Sequence, residues 1–531
     1  MAQSLLNRFL SGMLATGVGS LSVVVLGMVG LMLTARLLPA EALGAFFLLQ
    51  LLTVFAAEST SGGIHMGLER FLSGTDDIEQ QRRMISTAFL FRAATALLAA
   101  VLLLPLMGPL FDLLGVAPSP ALVGICIVWF LLEAVMRLLL AHHQARFAFR
   151  AIGATNVVSS VLNLAVILVL VVGLGQGFTG LLVAKLVSRL AAVGYAWATC
   201  PPRLGATMDG PLLRMLLRYS LPLYANYFLA FTAVRADTLL IGWLLGTGAV
   251  AYYEVARRIP DSLVQFYDAF RQVYFPFVAR DAIAGKKPRV AELVSQATRF
   301  GALILGTGCV IAFAFGEQII VLLFSETYLP SVLPFGLLML AVSLLMLESM
   351  LGATLAALGD STRPLLINTG RTLLLLAAYL LLIPRFGVAG AALAAVLAAA
   401  TVIPVNLYFL RRHGLAIRTR GLIASMTTAG ALALVLAVWA PESLLLRGAI
   451  TAAFLPLILA LSVITVPELA AGARSLGRLL KRLRDRGPRS AQPAVALVEP
   501  HANTARSSRV LADAPPIEEL EAVPRAGSAP R

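Results

Sequence analysis

The sequence predicts an all-α polytopic membrane protein of about 14 transmembrane helices, built as two parallel six-helix lobes with two extra C-terminal helices. Three observations carry that expectation. Of 531 residues, 59% are hydrophobic and only 13% charged, where a soluble domain carries about 25% charged residues. The apolar residues fall into repeated runs of roughly 20, the length that crosses a bilayer as a helix. Two sequence patterns recur about 210 residues apart. Together these exclude a soluble enzyme, a secreted disulfide scaffold and a disordered chain.

The first run follows Arg8 and continues to about Leu38. It is too long for a signal-peptide core of roughly 7–15 residues, so it reads as a first span. The spans are then expected at roughly 10–35, 43–66, 85–107, 120–141, 152–173, 178–199, 216–244, 249–275, 297–323, 331–356, 365–384, 388–410, 421–440 and 444–466. Several exceed a perpendicular crossing, which implies tilt. The connections alternate in charge. One set holds Arg70, Arg82, Arg83, Arg146, Arg150, Arg203, Arg214, Arg280, Lys286, Lys287, Arg289, Arg363, Arg411, Arg412, Arg418 and Arg420; the other holds only Arg36, Arg385 and Arg447. The positive-inside bias puts the basic set, and both termini, in the cytoplasm. It also accounts for the net charge of +15 without nucleic acid. No outward connection is long enough to carry catalysis, so no enzyme is expected and no catalytic residue is assigned. No nucleotide-binding motif is present.

Cys126, Cys200 and Cys309 sit in or beside apolar runs without metal-ligand spacing, so they read as packing residues and no metal or cofactor is expected. After the last span, Arg474, Arg478, Lys481 and Arg482 face away from Leu476, Leu479, Leu480 and Leu483. That pattern suits a basic amphipathic helix on an anionic leaflet, and a plain stop-transfer cluster equally well. From Gly487 the chain is rich in Pro, Ala and Ser, lacks aromatics and cannot build a core. The expected organisation is 1–200, 201–415, 416–467, 468–486 and 487–531: first lobe, second lobe, two extra spans, juxtamembrane segment and disordered tail.

Leu37-Leu-Pro-Ala-Glu-Ala-Leu-Gly-Ala-Phe46 aligns with Leu244-Leu-Gly-Thr-Gly-Ala-Val-Ala-Tyr-Tyr253, and Gly177-Phe-Thr-Gly-Leu-Leu-Val-Ala184 with Gly387-Val-Ala-Gly-Ala-Ala-Leu-Ala394. Near-equal offsets of 207 and 210 mark an internal repeat of six spans. An even number per unit gives both lobes one orientation, with a cavity between them. These stretches, with Asp237-Thr-Leu-Leu-Ile-Gly-Trp-Leu-Leu-Gly246 and Ala357-Leu-Gly-Asp-Ser-Thr-Arg-Pro364, resemble the Wzx-type polysaccharide flippases over about 1–465. The resemblance implies membership of the multidrug/oligosaccharidyl-lipid/polysaccharide exporter superfamily, with its MATE-like fold. It further implies outward movement of a polyprenyl-diphosphate-linked oligosaccharide by alternating access, for assembly of O-antigen, capsule or exopolysaccharide. Polysaccharide polymerases or ligases are implied partners, and a monomer is the expected state. The alternatives are a cation-coupled multidrug exporter, which would favour 12 spans and acidic cavity residues, and a membrane glycan polymerase or ligase.

Charges inside the spans mark the candidate site. Each costs about 2.5–3.5 kcal/mol at the bilayer centre, so they must pair, snorkel or line a wet cavity. Glu254, Arg257, Arg258, Asp261, Gln265, Asp268 and Gln272 recur at helical spacing on the eighth span as one polar stripe. Guanidinium and ammonium groups suit a lipid diphosphate, so Lys185, Arg189, Arg257 and Arg258 are the expected head-group contacts. Glu254, Asp261, Asp237 and Glu133 are the expected counter-ions or coupling groups, with a proton or Na⁺ as the coupled ion. Glu133 is expected to pair with Arg137, four residues on, and Arg92 to snorkel. Asp237 also reads as lobe framework. Glu58 and Glu348 read as gates or ion-pair partners, and His65, His142, His143 and His413 as interfacial packing.

Overall fold

The computed structural model describes residues 2–75, 77–360, 362–439 and 443–460, with side chains from residue 16. The basic segment at 468–486, the tail from 487 and the side chains of Asp268 and Gln272 lie outside the described residues. The regular structure of the described residues is all helical: α1 (Ala2–Leu37), α2 (Ala40–Ser59), α3 (Ile64–Ser73), α4 (Ile78–Leu113), α5 (Pro120–Ala145), α6 (Phe149–Val166), α7 (Gly177–Thr199), α8 (Gly210–Leu245), α9 (Thr247–Ile283), α10 (Lys287–Leu323), α11 (Val332–Ala357), α12 (Thr362–Arg412), α13 (Arg420–Trp439) and α14 (Leu444–Ala460).

Local sequence explains where several of these begin. Asp77, Ser119 and Asp209 cap α4, α5 and α8, accepting hydrogen bonds from the amides of Glu79, Leu122 and Leu212. Each cap satisfies an amide that the first helical turn leaves open. Among the described residues nine helices are long and apolar enough to cross a membrane, and α8, bent by 51° between Leu229 and Val234, makes a tenth. The expected count of 14 is thus not established by length and apolarity. The polar stripe lowers the apolarity of α9, α13 and α14 are shorter, and the 51 residues of α12 hold two helical segments joined at a kink. A straight helix of that length would run about 77 Å, far beyond a bilayer. It breaks at Gly387, with φ 59° and ψ −139°, a conformation open to glycine.

The internal repeat is visible at these breaks. Gly177, at the start of α7, has φ +51°, like Gly387 with φ +59°. Three residues later, a Cβ added at Gly180 would lie 3.0 Å from Val171 Cγ2, and one added at Gly390 would lie 2.2 Å from the Leu382 carbonyl. In both places a helix turns back closely on its predecessor, against a side chain at Gly180 and against backbone, which cannot yield, at Gly390.

Helices α4, α5, α6 and α7 pack in sequence with α1 against α6, while α11 packs on α9, α10 and α12, with α8 on α12 and α13 on α10. The two sets meet along α2 and α9. There a Cβ at Gly44 would fall 1.7 Å from the Thr247 carbonyl and 3.2 Å from the Ala251 nitrogen. The helices therefore cross backbone to backbone, over a core that includes Leu43, Ala45, Val250 and Ala251. Small residues permit this approach, which supplies dispersion contacts where lipid removes the hydrophobic drive. The contact lies at the end of the bundle predicted to face outward.

Candidate functional site

Charged side chains from α2, α5, α7, α8 and α9 converge in the middle of the bundle, and most are paired. Arg257 is 8% exposed and meets three carboxylates. Its Nε donates to Asp261 Oδ2 at 3.0 Å, and its Nη1 lies 3.3 Å from Asp237 Oδ2 and 3.7 Å from Glu254 Oε1. Asp237 also accepts from the Tyr253 hydroxyl at 2.7 Å and from the Thr238 amide at 2.6 Å. The Thr238 hydroxyl donates to Glu254 Oε1 at 3.0 Å. This cluster joins α8 to α9. Buried charges persist only when so surrounded.

Arg257 and Asp261 face a cavity of about 450 Å³ that also contains Arg235, Gln265, Tyr379 and Arg371. Arg371 pairs with Glu348 at 3.7 Å. Sequence reasoning missed Arg371, although a lone arginine inside the apolar stretch at 365–384 was the available signal.

On the other side the pairing differs from expectation. Glu133 joins Arg189 of α7 at 2.7 Å rather than Arg137, and Arg137 joins Glu58 of α2 at 2.5 Å. Helical spacing allows the Glu133–Arg137 pair, but both residues find partners on neighbouring helices, where a pair also ties two elements together. Arg92 does not snorkel. It is 2% exposed and donates to Thr60 Oγ1 at 2.9 Å and to the Ala57 carbonyl at 2.5 Å. The α2 C-terminus supplies acceptors nearer than the membrane surface.

Lys185 and Arg258 remain. Neither has an ion pair among the described residues, and both line one cavity of about 210 Å³ with Thr34, Gln50, Asn163, Phe46, Phe47 and apolar neighbours from α1, α2, α6 and α7. Thr34 is occupied by the Gly30 and Leu31 carbonyls. The cavity wall therefore offers two cations, two carboxamides and no carboxylate. Lys185 lies about 12 Å along α7 from Gly177 and Arg258 about 16 Å along α9 from Thr247, near the middle of a hydrocarbon core of roughly 30 Å. Such a cavity can hold a compact anion at mid-membrane. Of the four expected head-group contacts, the structure brings Lys185 and Arg258 together and engages Arg189 and Arg257 with carboxylates. Cys126 and Cys309 are buried and Cys200 is half-buried, all as free thiols. Among the described residues no cluster of three or more His, Cys, Asp or Glu side chains could hold a metal ion.

The profile of a family described as "Polysaccharide biosynthesis protein" matches residues 33–333. No curated protein matches the sequence. Among solved structures, the chain is similar to the lipid II flippase MurJ in an inward closed conformation, with a TM-score of 0.65 and 14% identity over 86% of this chain and 99% of that one. It is similar to an inward-facing multidrug resistance MATE family transporter of the MOP superfamily, with a TM-score of 0.58 and 16% identity over 74% of this chain and 94% of the other. It is also similar to a MOP superfamily transporter from Pyrococcus furiosus described by the reverse polarity of its binding pocket. That match has a TM-score of 0.51 and 15% identity over 75% of this chain and 94% of the other. At these identities the likeness establishes a common fold.

Proposed function

We propose that this chain, which belongs to the polysaccharide biosynthesis protein family, is a flippase that carries a lipid-linked oligosaccharide from the cytoplasmic to the outer leaflet. The carrying observation is the mid-depth cavity with Lys185 and Arg258 on its wall and no carboxylate. A polyprenyl diphosphate presents a compact multivalent anion, and Lys185 and Arg258 together offer several donors to it. The carrier chain stays in the hydrocarbon, and the sugars extend into the space between lobes taken as 1–200 and 201–415.

The two cations come from different sides of the α2–α9 contact, Lys185 from α7 and Arg258 from α9. A bound anion bridges them and offsets their repulsion, which favours closure around the head group. Opening at the opposite end then requires α2 and α9 to part at Gly44 and Thr247. Asp237, Glu254 and Asp261 are the groups whose neutralisation by a proton or Na⁺ would loosen Arg257, and Glu133 is their counterpart beside Arg189. The membrane is the bacterial inner membrane, with cytoplasmic termini; polymerases or ligases of the same glycan would act on the delivered product.

Export of a small organic cation fits this cavity less well, because the ligand would meet Lys185 and Arg258 on a wall without a carboxylate, the nearby acids Glu133, Glu254 and Asp261 being engaged by Arg189 and Arg257. The test is transport in proteoliposomes. A fluorescent lipid-diphosphate oligosaccharide should cross on addition of the wild-type protein. Failure of that transport, alongside ion-driven movement of a small organic cation, would replace the flippase by a drug exporter.

A further inference from the structure

Arg258 does not take the partners its own helix provides. Glu254, four residues before it, and Asp261, three residues after it, stand at the spacing that forms ion pairs on a helix surface. Both carboxylates are instead engaged by Arg257. The Arg258 guanidinium extends across to α1, where a Cβ added at Gly27 would lie 2.7 Å from its Nη2 and 4.0 Å from its Cζ. Apart from the surrounding turn of α1 itself, no other atom comes within 4 Å of that Cβ position. The space left by one missing side chain on α1 is thus filled by one guanidinium nitrogen from α9.

We propose that Gly27 is a positioning residue for Arg258: the notch it leaves on α1 holds the guanidinium on the cavity wall beside Lys185, away from Glu254 and Asp261. The proposal rests on the reading of Arg258 as a head-group contact. A methyl group at position 27 would meet the far end of a flexible side chain, so the guanidinium moves and the backbone does not. The released guanidinium swings toward the carboxylates at helical spacing, and the cavity loses one of its two cations. Alanine is a better helix former than glycine. Gly27→Ala therefore leaves the fold intact or firmer while weakening transport, opposite signs that a merely structural role would not produce.

The experiment is a double-mutant cycle on transport of a lipid-diphosphate oligosaccharide in proteoliposomes, with half-saturating concentration, maximal rate and melting temperature measured for each protein. The set is wild type, Gly27→Ala, Arg258→Ala, the double variant, and Gly17→Ala, whose added Cβ meets nothing within 4 Å. Expected is a rise of about threefold or more in the half-saturating concentration for Gly27→Ala, from the coupling of residues in contact. Its melting temperature should not fall, and the Gly27→Ala change should have no further effect in the Arg258→Ala background. Full additivity, or a Gly27→Ala protein that behaves like Gly17→Ala, overturns the proposal alone. An Arg258→Ala protein that transports like wild type overturns the head-group reading and this inference with it. Arg258→Gln replaces Arg258→Ala throughout the cycle if the alanine variant does not reconstitute.

Discussion

Arg257 and Arg258 are consecutive on α9 but face different cavities: Arg257 turns into the cluster of Asp237, Glu254 and Asp261, and Arg258 reaches α1 beside Lys185. About 100° separates successive side chains on a helix, enough to place one arginine in each compartment. Among the described residues of the α9 stripe, Glu254, Arg257, Asp261 and Gln265 lie toward α8 and its cavity, and Arg258 faces the other one.

This division predicts opposite phenotypes for neighbouring substitutions. Arg257→Ala leaves Asp237, 4% exposed, without its cation, and breaking a buried pair from one side costs about 3–5 kcal/mol. The variant should melt markedly lower in detergent. Arg258→Ala removes a cation that has no ion-pair partner among the described residues and should melt within a degree or two of wild type, a comparison made by thermal denaturation followed by tryptophan fluorescence.

The Glu58–Arg137 pair is lopsided, with side-chain exposures of 1% and 37%. Removing Arg137 takes the ion-pair partner from a buried carboxylate and should cost about 3–5 kcal/mol, whereas Glu58→Gln leaves Arg137 to water and the neighbouring Arg92 to its Thr60 and Ala57 acceptors, and should cost less. Equal losses of thermal stability for Arg137→Ala and Glu58→Gln would contradict this asymmetry.

Gly44 meets the backbone of Thr247, which cannot yield as a side chain can. Gly44→Val should prevent the α2–α9 contact and populate the opposite arrangement of the two helix sets. Spin labels at the exposed positions Leu37 and Leu245, at 52% and 38%, should report a longer distance in the variant than in wild type.

In the turn between α11 and α12, the Arg363 amide donates to Asp360 and holds its carboxyl below the ordinary value of 3.8, with His413 and the Arg363 guanidinium reinforcing the shift. A depressed carboxylate contributes its full stabilisation above that ordinary value and loses it as pH falls through the lower folded one. The melting-temperature difference between wild type and Asp360→Asn should hold steady above about pH 5 and shrink below it.

Much of the framework was legible in the sequence because it depends on local pattern. Apolar run length marked the nine or ten helices that can cross a membrane among the described residues, helical spacing marked the α9 stripe, and the recurring glycines at 177 and 387 marked two turns at which the backbone has positive φ. Pairing between helices was not legible. Glu133 and Arg137 have helical spacing, yet each is taken by a residue from another helix, and nothing in the chain orders Arg189 or Glu58 beside them. Gly27 carried no signal, because its significance lies in an arginine 231 positions away that occupies its missing side chain.

The central claim is that Lys185 and Arg258 together receive an anionic lipid head group. The most direct measurement is the rate of lipid-diphosphate oligosaccharide translocation by the Lys185→Ala/Arg258→Ala protein in proteoliposomes, with folding verified by its melting temperature. Loss of translocation by a stably folded double variant is the predicted result. Translocation at the wild-type rate would contradict the claim and return both cations to a structural role.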